Sequence, residues 1–295
     1  MRRVRRNFER AAHTYRGTAR LELEVGARML ERLDYVKLAP RRILDAGAGC
    51  APQAAGLKQR YPVAQQVVLD IAPQMLGTMK RRGIVERLLD RLRGRPGPIG
   101  VCADLARLPL AQGSCSMVWS NMALHWASDV QSAIGEFHRV LEVDGLVMFS
   151  TLGPDTLKEL RSALAGADAT PRVHSFIDMH DLGDMLVAAG FAAPVMDTET
   201  ITLTYADVGK LLADLRATGQ TCALAGRSRG LFGPRRWQRV LKALQGCMVQ
   251  GRLPVTIEVI YGHAWKAAPR RSAEGHAIVR LEPRIRNETD SGKRV

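Results

Sequence analysis

Apolar positions in the first half of the chain alternate between two spacings. Residues 21–33 (LELEVGARMLERL) carry them at helical intervals, which predicts a helix. Residues 42–46 form a short apolar run that enters a turn at Gly47 and Gly49, the pattern of a buried strand. A helix is expected over 53–59, a second strand over 66–70 (QVVLD), and a further helix over 73–82, whose Pro73 suits a first turn. The glycine- and proline-rich segment 92–100 reads as a loop. Strands follow at 101–104, 116–120 and 145–150. Between the last two, 129–141 (DVQSAIGEFHRVL) is an amphipathic helix closed by a turn at Val143-Asp144-Gly145. Strands alternating with helices predict βαβ units in a doubly wound, mostly parallel α/β sheet.

The second half has another rhythm. Residues 179–189 read as a helix ending at Gly190, and 195–205 and 255–265 alternate as half-buried strands, the last expected to run antiparallel. Between them, 207–250 is a mostly helical insertion that carries Arg216, Arg227, Arg229, Arg235, Arg236 and Arg239. The chain thus divides into an N-terminal helical segment (1–36), a main domain (37–265) and a tail (266–295) whose prolines, charge and lack of periodicity predict mobility.

Composition narrows the picture. Of 295 residues 46% are hydrophobic, yet no apolar run approaches the ~20 residues of a membrane span. The N-terminus is arginine-rich but lacks the apolar stretch of a secretory signal. Glu9 and the helical pattern that follows favour a mature amphipathic helix over a targeting segment. Five cysteines form no CxxC pair and have no histidine cluster beside them, so a reducing, cytoplasmic setting is expected, with neither disulfides nor a metal. The net charge of +14 favours an acidic partner, nucleic acid or a small acidic carrier protein. No aromatic-interleaved basic patch supports nucleic acid. The oligomeric state is open, with a monomer as the simplest expectation.

Candidate chemistry gathers where the strands end. Gly47 and Gly49 let the backbone approach a ligand closely, and Asp70, at the end of the next strand, suits the two hydroxyls of a ribose, with Ile71 beside it. A dinucleotide fingerprint requires glycine where Pro52 stands, and no Gly-Lys-Ser/Thr follows to make a P-loop. Asp45, just before the glycines, would repel a pyrophosphate but suits a cationic amino group. S-adenosylmethionine has that group and a positive sulfonium. Asp104, closing the third strand beside Leu105, suits an adenine amino group. Singly, each acid is also a plausible turn or helix cap; their placement at three successive strand ends favours the cofactor.

The segment Asn121-Met122-Ala123-Leu124-His125-Trp126 follows the fourth strand, where reacting parts of ligands lie. Asn121 is a candidate for the methionine portion, and His125 and Trp126 for the path to the methyl group; capping or core packing is the plainer alternative for the last two. Phe8, Ala11, Ala12 and Tyr15 share one helical face near the N-terminus, either a simple packing face or a lid that brings Tyr15 to the cofactor and excludes water. No Ser-His-Asp spacing or paired-carboxylate pattern stands out.

The stretches FERAAHTY, ILDAGAG, VVLDIAPQML, WSNMALHW, FSTLGPDTLKEL, FIDMHDLGDMLVAAGF and GRLPVTIEVIYGHAW resemble the malonyl-[acyl-carrier-protein] O-methyltransferases that open biotin synthesis, within the class I methyltransferase superfamily. The likeness runs from about Phe8 to Trp265 and departs from the pattern at Ala51, where a third glycine is usual, and at Pro52. It implies a Rossmann-like methyltransferase sheet and S-adenosylmethionine as methyl donor. It implies cofactor roles for Asp45, Gly47, Gly49, Asp70, Asp104, Leu105 and Asn121, and a lid role for Tyr15. The implied substrate is a malonyl thioester on acyl carrier protein, or on coenzyme A, with Arg216, Arg227 and Arg229 as docking candidates; a solvated basic face is the plainer alternative for these arginines. Alternatives are a respiratory-complex assembly factor that hydroxylates a protein arginine, an RNA methyltransferase, and a non-enzymatic partner that keeps the fold.

Overall fold

Side-chain alternation along the central strands decides which layer each residue joins. The computed structural model describes residues 1–79, 97–168, 170–224, 226, 230 and 232–268. It contains strands β1 (Arg42–Ala46), β2 (Gln65–Asp70), β3 (Ile99–Cys102), β4 (Cys115–Ser120), β5 (Leu141–Leu152), β6 (Phe191–Tyr205) and β7 (Leu253–Lys266). They form one sheet in the order β3-β2-β1-β4-β5-β7-β6. The first five pair in parallel, and β7 runs antiparallel to both neighbours.

The described helices are α1 (Arg2–Thr18), α2 (Arg20–Arg32), α3 (Ala54–Arg60), α4 (Pro73–Gly77), α5 (Val130–Val140), α6 (Lys158–Ala165), α7 (Met179–Ala188), α8 (Val208–Ala217) and α9 (Pro234–Gln245). Ile43, Met117, Trp119, Leu146 and Met148 face a core shared with α2, α3, α6, α8 and α9. Leu44, Ala46, Val118, Val147 and Phe149, one residue out of phase, face α5 and α7. The sheet is therefore covered on both sides, as a parallel sheet requires.

Two predicted boundaries move for local reasons. The fifth strand starts at Leu141, directly after α5, because Leu141 already pairs with Cys115. The register then shifts before Met117 meets Leu146, and Asp144 takes up the kink at φ 62°. The predicted turn at 143–145 thus survives as a kink inside the strand. β6 starts at Phe191 and loses register between Ala192 and Val195, where Pro194 has no N–H to give the ladder. The helix expected over 73–82 is seen through Gly77; its end beyond 79, most of the loop at 92–100, and the tail beyond 268 lie outside the described residues.

The N-terminal helices are tied to the sheet by a buried polar junction. The Glu22 carbonyl, in α2, accepts from Asn121 Nδ2 at 2.8 Å and Gln53 Nε2 at 3.3 Å. Its carboxylate accepts from Gln220, just past α8. Helix α1 buries Val4, Ala11 and Ala12, packs Ala11 and Ala12 with Ala72 and Met75, and is held to the end of α8 by Thr14 Oγ1 donating to the Ala217 carbonyl at 2.8 Å.

Burial pushes the Glu22 carboxyl from its ordinary 4.5 up to about 7. Between those values the folded chain keeps a proton that the unfolded chain has lost, so stability falls as pH rises through this window and the penalty is complete above it. Glu22→Gln keeps an acceptor for Gln220. It is expected to flatten that part of the melting temperature–pH curve and to melt above the parent on its alkaline side. An unchanged slope would place the titration elsewhere.

Candidate active site

Strand β1 lies between β2 and β4, so the chain leaves the centre of the sheet in opposite directions at this point. Such a switch opens a crevice at the carboxyl ends of the strands. The turn after β1 is wound in the left-handed region at alternate residues: Gly47 (φ 76°), Gly49 (φ 57°) and Ala51 (φ 52°). The Gly47 and Ala48 amides donate to the Leu69 carbonyl at 2.8 and 2.9 Å, joining the turn to β2. A Cβ on Gly47 would stand 2.2 Å from the Cβ of Ala123, so the turn nests under the segment after β4 only because this side chain is missing.

The crevice spans about 540 Å³ and is open in part to solvent. Among the sequence-predicted residues Tyr15, Gly47, Gly49, Asp70, Ile71, Leu105, Asn121 and Trp126 line it, joined by Met1, Val4, Phe8, Met122 and Ala123. Asp70 is buried; its Oδ2 accepts from the Gly49 amide at 2.8 Å and its Oδ1 from the Ala72 amide at 2.7 Å. Burial raises its pKa, and these backbone donors offset part of that rise. Each oxygen keeps acceptor capacity for a further donor. The Asn121 amide is engaged at both ends, donating to Glu22 and accepting from Ser150 Oγ at 2.8 Å.

Asp45 does not line the crevice. It is buried two residues before Gly47, on the face of Ile43 and in register with Trp119. Its Oδ2 has no hydrogen-bond partner, and burial together with the Asp70 carboxylate pushes its pKa up to about 7. An orphaned carboxylate oxygen behind a glycine turn fits a cationic group better than a phosphate.

Helix α1 forms one wall. The Tyr15 ring stands 3.6 Å from where a Gly49 Cβ would be, and Phe8 meets Trp126 edge to face at 5.4 Å. Burial raises the Tyr15 pKa well above its usual range, so the hydroxyl is neutral.

Three sequence-predicted residues stand elsewhere. β3 ends at Cys102, before Asp104, whose Oδ1 accepts from the Ala106 amide at 3.0 Å and which does not line the crevice, whereas its neighbour Leu105 does. His125 faces a neighbouring cavity with Thr151, His174 and Phe176, and desolvation, then the nearby His174, pushes its pKa down to about 3. Arg216 is exposed in the last turn of α8, away from the crevice lining. Arg227 and Arg229 lie outside the described residues. Sequence reasoning missed Glu22, which reads as a solvent-facing helix position, and His174, which sits in a segment without periodicity.

Gly47→Ala combines a left-handed backbone with a fixed collision, so it is expected to cost about 2–4 kcal/mol in denaturant unfolding. Ala51→Gly removes only the backbone strain and is expected to add up to about 1 kcal/mol. Equal effects of the two would show that the turn is not held in this conformation.

A family model described as a methyltransferase domain matches residues 44–149, the stretch from β1 to β5. The malonyl-[acyl-carrier protein] O-methyltransferase of Laribacter hongkongensis is 52% identical over 284 residues, covering 95% of each chain. The protein of the same name from Gallionella capsiferriformans is 50% identical, over 96% of this chain and 97% of its own. Among solved structures, the YcgJ protein of Bacillus subtilis superposes with a TM-score of 0.55 at 15% identity, over 83% of this chain and 99% of its own, a likeness of fold. On its near-full-length identity to these relatives, the chain belongs to the malonyl-[acyl-carrier protein] O-methyltransferase family.

Proposed function

We propose that this protein methylates the free carboxylate of a malonyl thioester on acyl carrier protein, giving the malonyl methyl ester at the opening of biotin synthesis. When bound, S-adenosylmethionine supplies an electrophilic methyl group, which a carboxylate oxygen takes with its own lone pair while the S–C electrons return to sulfur as S-adenosylhomocysteine. What carries this assignment is identity of about half the residues along nearly the whole chain to proteins of that name. An arginine-hydroxylating assembly factor or an RNA methyltransferase finds no comparable support.

The chain's own residues have an alignment task. A malonyl carboxylate is already ionised at neutral pH, so no general base has to remove a proton. Gly47 and Gly49 give backbone room for the cofactor, with Asp45 behind them for its amino group. Asp70 and Ile71 serve the ribose side, Leu105 the adenine, and Asn121 the methionine end. Tyr15 and Phe8 from α1, with Trp126 opposite, form an aromatic wall that excludes water from the reacting centre. In this reading residues 1–36 are the lid, the domain at 37–265 holds the cofactor, and the arginines of 207–250, Arg216, Arg227 and Arg229 among them, receive the acidic carrier and its phosphate-bearing arm. No helix among the described residues is long and apolar enough to cross a membrane, and we place the protein in the cytoplasm, where its carrier substrate is made.

Mass spectrometry of malonyl-carrier protein after incubation with the enzyme and S-adenosylmethionine is expected to show the gain of one methyl group. Acetyl-carrier protein should gain none, and malonyl-coenzyme A run in parallel ranks the two thioesters. No gain on either malonyl substrate, with cofactor binding demonstrated, would overturn the assignment.

Asp45 gives a second test. Its carboxyl must ionise to hold an ammonium, so below its pKa of about 7 a proton has to leave first. Cofactor affinity is therefore expected to rise between about pH 6 and pH 7.5. Asp45→Asn should bind more weakly and lose that rise. A variant that keeps the parent's pH dependence would free Asp45 of this role.

A further inference from the structure

Two more cavities flank the cofactor crevice. The larger, about 1400 Å³, lies between the α1–α2 junction, α8 and the ends of β6 and β7, and its wall includes Arg20, Glu22, Lys210 and Asp214. The smaller, about 610 Å³, lies at the carboxyl ends of β4 and β5, with α5 and α7 beneath it. Its polar lining is His125, Thr151, His174 and Ser175, without an acidic side chain, and it opens to solvent at the exposed Ser175.

The smaller cavity and the crevice adjoin at the segment after β4, which lines both. Trp126 lines the crevice, and its ring centroid is 5.3 Å from that of His125 and 5.1 Å from that of His174. His174 Nε2 accepts the Ala223 amide at 2.9 Å, which assigns its proton to Nδ1. His125 Nδ1 lies 3.2 Å from Thr151 Oγ1. Arg161 holds the His174 backbone in place, its guanidinium reaching the carbonyls of Pro154 at 2.7 Å and His174 at 3.4 Å.

We propose that this cavity is the acyl site, and that His174 Nδ1–H, together with His125 and Thr151, holds the substrate's terminal carboxylate beside the methyl donor. The inference rests on the function proposed above and deepens it by naming the groups that select an acidic acyl end. Three physical points favour this cavity. A desolvated carboxylate needs donors, and here imidazole and hydroxyl groups converge with no competing acid. The larger cavity is of mixed sign, with Arg20 and Lys210 beside Glu22 and Asp214, and so lacks an acid-free set of donors. Desolvation also keeps both imidazoles neutral. Neutral donors orient a carboxylate without engaging both oxygens, as a bidentate arginine does, so one oxygen keeps its lone pair for attack.

The variants His174→Leu and His125→Leu are expected to raise KM for malonyl-carrier protein about tenfold or more. Cofactor affinity, measured by calorimetry, should not change. His174→Asn keeps a donor near the Nδ1 position and should recover most of the loss. An unchanged KM would overturn the proposal, and so would a parallel loss of cofactor affinity and melting temperature, which would make the histidines part of the frame. A second readout needs no turnover: the imidazole NMR signals of His125 and His174 should shift when malonyl-pantetheine is titrated in, and not with acetyl-pantetheine. Shifts without methylation would uphold the anion site and sink the function it rests on; methylation without shifts would do the reverse.

Discussion

The amide of Asn121 is the fastening on which the site depends. It gives its hydrogen to the Glu22 carbonyl and its oxygen to Ser150, so three separate elements, α2, β4 and β5, meet at one side chain. Ser150 Oγ in turn accepts the Met122 amide at 3.0 Å, which turns the chain away from β4 into the segment that carries Trp126. Buried polar groups left unpaired are costly, so these bonds fix one arrangement rather than merely add to stability. Helix α1 follows from it, because α2 is what α1 is joined to, and Tyr15 and Phe8 reach the crevice only from there.

Much of this frame was legible. The glycine turn, the acid at the end of β2 and the seven strands all follow from hydrophobic period and turn chemistry, which act over a few residues. What escaped depends on contacts between distant segments. Glu22 belongs to a helix whose pattern marks it as a polar position, yet Gln220 and Asn121 close over it from far along the chain. The sequence pattern places His125 and Trp126 along one path to the methyl group. The 3-10 turn at Leu124–Trp126 instead advances about a third of a turn per residue and aims neighbouring side chains into different cavities. Asp104 shows the limit of strand-end reasoning: two residues past the end of β3, its carboxylate turns back to its own backbone.

Charge is sorted by depth. The chain carries a net +14, and several of its arginines, Arg216 among them, are exposed. The crevice itself is lined by one buried carboxyl, Asp70, and a second, Asp45, is buried behind its glycine turn. A net positive charge favours an acidic macromolecule at long range, whereas the buried carboxyls suit a small cation at short range. A single sign of charge throughout would serve one ligand at the expense of the other.

The Trp126 ring has a thermodynamic consequence of its own. A cofactor in the crevice that this ring lines and an acyl group held, as we propose, by the two histidines in contact with it would not bind independently. Whatever factor the first adds to the affinity of the second, the second must return to the first. Order of addition would then change the route to the ternary complex and leave its free energy the same.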